Sequence, residues 1–394
     1  MKDVLEEKEF NEYGQKASMF KKIKYLLIVL LVFVVLFFLV GYREDITVEN
    51  IRYLLKYVDV SPRTIGAEDA TVVKIDVEGE RETRLFRSDI VALTGSEVKT
   101  YDLSGKEGIS STVSLSNPTL SCGKDFFAVF DMGENYYALY NSFSKVYDET
   151  TTYPIWDVVI GDTGSFAVIT AEKGYRSALK VYNSDFENKM NWYTADKYII
   201  ATDMYTNRDT FIAAGCVQGG ETGDFISSLT VLRDGADKVW SFSEFAGEML
   251  LDVKFFDNSN IALLTDTALR IVDLTGKVLE TFKFKSDSLR MFDMGDGICA
   301  LILNENSIGT LHRLIIYDES GNTCMDTEIL SDIRDVSVIK DTVFLLGSQT
   351  LVVCEPKHEK ITSLETDKAY VKVMALSKDR VVLLYGDNAY IVTT

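Results

Sequence analysis

Histidine is almost missing from this chain: of 394 residues only His312 and His358 are histidines, each beside a charged neighbour. That leaves little material for a histidine zinc site or a Ser-His-Asp relay. Cysteine is sparse too, with Cys122, Cys216, Cys299, Cys324 and Cys354 scattered outside any CxxC spacing. An odd count argues against a full disulfide framework. Each lies in or beside an apolar run, as in Gly297-Ile298-Cys299-Ala300-Leu301-Ile302, where a free thiol acts as a small hydrophobe. Positive charge is also short: 41 Lys and Arg stand against 60 Asp and Glu, a formal charge of -19. Residues 1–42 hold six Lys and five acids, so beyond them 35 basic residues face 55 acidic ones. No Lys/Arg cluster interrupts that acidic field, so a nucleic-acid partner is not expected. No Asp-x-Asp-x-Asp-Gly loop occurs, and the runs 161–164 and 293–297 read as ordinary turns, so neither a metal nor a cofactor is expected.

Charge is absent altogether from Tyr25 to Tyr42, eighteen residues that include the run Leu26 to Val40. At ~1.5 Å per residue such a helix spans ~27 Å, close to the ~30 Å apolar core of a bilayer. Lys16, Lys21, Lys22 and Lys24 precede it and Arg43 alone follows closely, which predicts a cytoplasmic N-terminus. Val40-Gly41-Tyr42-Arg43 offers no small-x-small cleavage site, so the reading is an uncleaved signal anchor. The expected organisation is a cytoplasmic tail 1–24, a transmembrane helix 25–42, a connector 43–69 and an extracytoplasmic domain 70–394. In the connector, Ile51, Leu54, Leu55 and Val58 recur at helical spacing behind Thr47, a candidate N-cap.

From Thr71 onward the pattern changes to short alternating runs broken by Gly, Asp, Asn and Ser, the signature of hairpins. One element recurs: a strand, then a turn such as Tyr101-Asp102-Leu103-Ser104-Gly105-Lys106, Val272-Asp273-Leu274-Thr275-Gly276-Lys277 or Tyr317-Asp318-Glu319-Ser320-Gly321-Asn322. Asp accepts hydrogen bonds from the backbone just ahead, and Gly supplies the positive φ at the reversal. Weaker copies start at Tyr140, Tyr182, Leu232 and Cys354, with a last one near Val392, which makes eight units at a spacing of about 42 residues. That spacing predicts an all-β propeller of eight four-stranded blades, with seven as the alternative if 119–198 holds one unit fewer. The last unit has three strands, so the extra strand at 71–77 is expected to close the ring.

These turns resemble those of quinoprotein-type propellers, a group that includes dehydrogenases and outer-membrane assembly lipoproteins. The plan of Lys-rich tail, anchor, short helix and propeller resembles a family of membrane-anchored propeller proteins of Firmicutes known as a domain of unknown function. Quinoprotein enzymes repeat a tryptophan-docking motif, whereas this chain holds only Trp156, Trp192 and Trp240, so their cofactor chemistry is not implied.

Candidate site residues fall in two groups. Asp157, Asp203, Asp252, Asp293 and Asp335 recur in the innermost strands, with Lys372 at the matching place in the last blade and Trp156, Arg290 and Arg334 alongside. Near the axis they could bind a cation or basic ligand group, or accept hydrogen bonds from neighbouring blades. The second group is a set of long second-to-third-strand loops at 171–177, 218–227 and 304–312, the middle one carrying Gly219, Glu221 and Asp224. Either these are tolerated insertions or they build a partner-binding face on blades 3, 4 and 6. The expected function is a tethered, non-enzymatic scaffold for a protein or envelope partner. The alternative is a glycan-active glycosidase or lyase using two of the inner carboxylates.

Overall fold

The repeat in the sequence is a repeat of sheets. The computed structural model describes Leu30, Phe33 and residues 71–394 apart from 78–80, 207–208, 221–222, 236–238, 258, 296, 306–310 and 330–331. Among the described residues the strands form eight four-stranded antiparallel sheets. The chain divides after Thr64, and all eight sheets belong to the unit Ile65–Thr394. They are the blades of a β-propeller. Blades 1 to 7 span 82–112, 118–150, 155–194, 198–246, 250–283, 289–329 and 333–365, each with four consecutive strands paired in chain order. Blade 8 takes three strands from 372–393 and its outer strand from Thr71–Lys74. The stretch 119–198 therefore holds two full blades, and the seven-blade alternative falls. No helix among the described residues is long and apolar enough to cross a membrane. The tail, the span 25–42 and the connector lie outside the described residues, except for Leu30 and Phe33, which are helical.

Burial follows from a strand's place in its blade. The first strands of adjacent blades touch one another, so they are innermost. Second strands such as Phe127–Asp131 and Asp89–Leu93 are buried at every residue, because both faces of the sheet meet neighbouring blades. They read as continuous apolar runs for that reason. Fourth strands such as Ser241–Ala246 alternate between exposed and half-buried, because they form the rim. The core is accordingly divided into eight clusters, one at each blade interface. Its largest fully buried side chains include Phe86, Phe127, Phe130, Phe166 and Phe344, each contributing about 1.5–3 kcal/mol by burial.

Ring closure is a strand exchange between chain segments distant in sequence. Thr71 pairs with Ile391 and Lys74 with Asn388, and Ile75 N–H donates to the Asp387 carbonyl at 2.8 Å. Val73 and Ile75 then pack with Ile90, Ala92 and Tyr101 of blade 1 and with Met374, Val382 and Ile391 of blade 8.

The recurring turn joins the third strand of a blade to its fourth. Asp102, Asp273 and Asp318 each accept two backbone N–H groups, from the residues two and four ahead, at 2.8–3.0 Å. Gly105, Gly276 and Gly321 sit at φ of 82, 82 and 84°. Blade 3 keeps the geometry with other residues: Asn183 takes the role of Asp, and Phe186 holds φ 64° where the others have Gly. The ring of Phe186 stacks on Tyr147 with centroids 4.8 Å apart, which offsets the left-handed backbone.

Candidate functional site

Blade-to-blade connections and second-to-third-strand turns share one rim of the ring, here called the upper face. The first strands begin there. In blades 3 to 7 each carries a β-bulge one or two residues after its start, at Trp156, Ile200, Leu251, Arg290 and Arg334. A bulge leaves its residue unpaired and turns it out of the sheet. Trp156, Ile200 and Leu251 are 43, 45 and 37% exposed at the mouth of the axis. Arg290 reaches across to the next blade, donating to the Ile333 carbonyl at 2.8 Å and to Asp332 at 3.3 Å.

Counted from the bulge, the five aspartates fall into two levels. Asp157, Asp252 and Asp335 follow it directly, whereas Asp203 and Asp293 stand two residues further along. Three of the five bridge blades. Asp203 accepts the Phe255 N–H at 2.7 Å and pairs with Lys254 Nζ at 2.9 Å. Asp293 accepts Val338 N–H at 2.7 Å, and Asp335 accepts Val373 N–H at 2.8 Å. Asp157 and Asp252 each accept the N–H of the residue that follows, at 2.8 Å, and no neighbouring blade donates to them among the described residues. Burial raises the carboxyls of Asp157, Asp293 and Asp335 above the usual range. It pushes Asp252 up to about 6, with the charges of Asp203 and Asp293 adding to the rise and Lys254 opposing it.

Apart from Trp156, sequence reasoning passed over the aromatic side chains of the upper face. Tyr175 and Phe225 begin third strands, Tyr193 lies near the end of a fourth, and Tyr198 begins a first strand. All four are 40–54% exposed. Together with Trp156, Ile200 and Leu251 they give seven large apolar side chains on the upper face of blades 3 to 5. Tyr175 and Tyr193 lie with ring centroids 5.1 Å apart, and Arg176 Nη1 donates to the Tyr198 hydroxyl at 2.9 Å. Clustered exposed aromatics of this kind mark interaction surfaces. A signal was available: three tyrosines at the ends of strands, where side chains leave the core, rather than in their middles.

The expected loop at 171–177 is not a loop. Its strands run to Glu172 and resume at Tyr175, joined by Lys173-Gly174 with Gly174 at φ 85°. The glycine permits a two-residue reversal, and the hairpin projects as sheet. In the other two segments the second strands end at Gly219 and Asn304 and the third strands begin at Phe225 and His312. Gly219 ends its strand, the Asp224 carbonyl accepts Gly220 N–H at 2.6 Å, and Glu221 lies outside the described residues.

Fold and face together define a β-propeller with an acidic axis and an aromatic arc. The chain belongs to a family of unknown function (DUF5711), whose sequence profile matches residues 66–393. No curated protein sequence matches it. Among solved structures it is similar to BamB from Moraxella catarrhalis, at 8% identity and TM-score 0.54, covering 83% of this chain and 99% of that one. It is also similar to the WD40 domain of SCAP from fission yeast, at 10% identity and TM-score 0.54, covering 82% and 98%. A third is apo AztD from Citrobacter koseri, at 10% identity and TM-score 0.52, covering 78% and 95%. At such identities the likeness shows the fold alone.

Proposed function

We propose that this protein is a membrane-tethered, extracytoplasmic propeller that acts as a non-enzymatic scaffold, docking a protein partner on the upper face of blades 3 to 5. The observation that carries this reading is the aromatic arc. Tyr175, Tyr193, Tyr198 and Phe225 are 40–54% exposed on a face that connects to the axis, with Tyr175 and Tyr193 in ring contact and Arg176 bonded to Tyr198. Charge narrows the partner's chemistry. With 35 basic residues facing 55 acidic ones beyond residue 42, the domain favours a partner whose apolar side chains are flanked by Lys and Arg. Tethering rests on the uncharged run 25–42 and its Lys-rich flank, a plan that resembles that of membrane-anchored propellers of Firmicutes.

A photocrosslinking side chain placed at Tyr193 or Phe225 in intact cells is expected to capture one and the same protein. The same side chain at Leu279, exposed on the opposite face, is expected to capture none. Equal capture from Leu279, or none from Tyr193 and Phe225, overturns the docking face. A second reading, a glycan-active envelope enzyme, draws on Asp252, whose elevated carboxyl suits a general acid. If a chain carrying Asp252→Asn complements a deletion strain as fully as the original, that reading is removed.

A further inference from the structure

The fourth strand of each blade is unpaired along its outer side, a row of N–H and C=O groups that natural sheets protect with bulges, charges or short length. Most of the outer edges here carry such protection. The outer pairings of blades 1, 2, 3, 5 and 6 each contain a register shift. Blade 7 is regular but has exposed Lys360 and Glu365 at its two ends, and blade 8 offers only Thr71–Lys74, with Lys74 exposed. Blade 4 is the exception. Its outer strand Ser241–Ala246 pairs without interruption over six residues, holds one charge, Glu244, and leaves Phe242 48% exposed with Trp240 beside it at 47%.

The pairing assigns the free groups of that edge. Gly247 N–H donates to the Phe225 carbonyl at 2.9 Å, one step beyond the Ile226–Ala246 pair, so the hydrogen-bonded pairs of the strand fall at Phe245, Ser243 and Ser241. Phe242, Glu244 and Ala246 therefore aim their backbone N–H and C=O groups outward. Their side chains share one face of the sheet with Ser228, which stands directly across from Glu244. Lys197 lies on that face: its Nζ is 3.3 Å from the Ser228 hydroxyl and 4.0 Å from the centre of the Phe242 ring. Among the described residues no carboxylate lies within 4.0 Å of the Lys197 ammonium, and no cation lies within that distance of Glu244. On the opposite face Ser241 and Ser243 donate to the Leu274 and Gly276 carbonyls of blade 5 at 2.7 and 2.5 Å. The strand is thus held in place before any partner arrives.

We propose that the outer strand of blade 4 pairs antiparallel with the same strand of a second copy of this chain, joining two four-stranded blades into one continuous sheet. An isologous contact of this kind needs a self-complementary register. Centring the two-fold axis on Ser243 sets outward residues against outward residues, with Phe242 opposite Glu244 of the second copy and Trp240 opposite Ala246 of the second copy. Both oppositions are favourable. Lys197, already over Phe242, meets the Glu244 carboxylate that arrives there, once on each side of the axis, and Ala246 leaves room for the indole. Centring on Glu244 instead would set two like charges together. The contact lies on the outer rim and stands whether or not the upper face docks a protein.

The test uses the full-length chain in detergent. Sedimentation equilibrium is expected to show monomer and dimer in exchange at concentrations up to about 100 μM, since one strand pairing buries less than the ~1,200 Å² of stable interfaces. Lys197→Glu and Glu244→Lys, each of which sets like charges together at both ends of the contact, are expected to weaken the dimer roughly tenfold or more. The chain carrying both exchanges is expected to recover it, which a merely damaged fold would not. Ser243→Cys, at the axis, is expected to give a disulfide-linked dimer when copper phenanthroline and air oxidise the two thiols. Thr362→Cys, in the middle of the outer strand of blade 7, is expected to give no more than the unsubstituted chain. Association through another part of the chain would ignore both charge variants. A monomer throughout that concentration range, a dimer indifferent to the charge variants, no recovery in the double exchange, or crosslinking at Ser243→Cys no greater than at Thr362→Cys overturns the proposal.

Discussion

Asp203 and Asp252 look alike in the sequence, both carboxylates on the inner strands of adjacent blades. Their surroundings differ: two residues along the strand separate their levels, and what the neighbouring blade offers differs as well, since Asp335, at the level of Asp252, does accept Val373 N–H of blade 8. At its level Asp203 reaches the inner strand of blade 5 and meets both Phe255 N–H and the Lys254 ammonium. Asp252, two residues closer to the bulge, accepts Val253 N–H on its own strand and, among the described residues, no N–H from another blade. The deeper level recurs with different chemistry. In blade 6 it holds Asp293, which accepts Val338 N–H, and in blade 7 it holds Ser337, whose hydroxyl oxygen accepts Ala375 N–H at 3.0 Å. One backbone geometry therefore joins three blade pairs through a carboxylate with a lysine, a carboxylate alone and a hydroxyl. The comparison separates acids that hold the ring together from acids that the fold tolerates.

Breaking the strongest of these bridges gives the largest expected effect. Asp203→Ala leaves Phe255 N–H without its acceptor and Lys254 without its counter-ion, in a place where the Asp203 side chain is 9% exposed. Loss of a buried charged partner costs several kcal/mol, and because the Lys254 side chain keeps 40% exposure and can hydrate, about 3 kcal/mol is expected here. Urea unfolding of the variant beside the original chain measures it. A loss below about 1 kcal/mol would mean that Asp203 does not hold blades 4 and 5 together.

How much of this was open to sequence reading depends on the range of the physics involved. The eight-blade count was legible because the turns after Tyr101, Val272 and Tyr317 are each specified within six residues, by an Asp that caps the next N–H groups and a Gly at positive φ, and weaker copies keep the same spacing. Closure by residues 71–77 was legible because three strands at the chain's end leave an edge that something must cover. The aspartate levels were not legible. A bulge shifts the pairing by one residue without changing the alternation of apolar side chains, so Asp157 and Asp203 appear equivalent until registers are compared. The aromatic arc stayed hidden for a related reason: Tyr193 and Tyr198 are strand residues by composition, and only their position at the rim exposes them. At 171–177 charged residues around Gly174 suggested a loop, where the glycine instead allows the tightest of hairpins.

Asp252 provides the opposite test. Its folded carboxyl titrates at about 6 against an ordinary 3.8, so the folded protein holds that proton more tightly than the unfolded chain. Between those values the unfolded state binds fewer protons, and stability falls as pH rises. The penalty is absent below about pH 4 and complete above about pH 6, of order 3 kcal/mol. Asp252→Asn is therefore expected to be more stable than the original chain at pH 7 and equal to it at pH 4, the reverse of the Asp203 result. Unfolding midpoints of both chains across that interval isolate the effect from every other titrating group. A destabilised Asp252→Asn at pH 7 would place Asp252 among the bridging acids.

The smallest effect belongs to Ser337, and it asks whether the deeper level matters when no charge is involved. Ser337→Ala removes the acceptor for Ala375 N–H and nothing else, since the hydroxyl carries neither a counter-ion nor a large apolar surface. A neutral hydrogen bond of this kind contributes about 1 kcal/mol, and the half-buried N–H can recover part of it from water, so a loss of about 0.5–1 kcal/mol is expected. Slow hydrogen exchange at the Ala375 amide reports the bond directly: protection there should fall in the variant while Val338, bonded to Asp293, keeps its own. Were both amides to lose protection together, the bridges between blades 6 and 7 and between blades 7 and 8 would open as one, and the level-by-level division of the axis would give way to a cooperative ring.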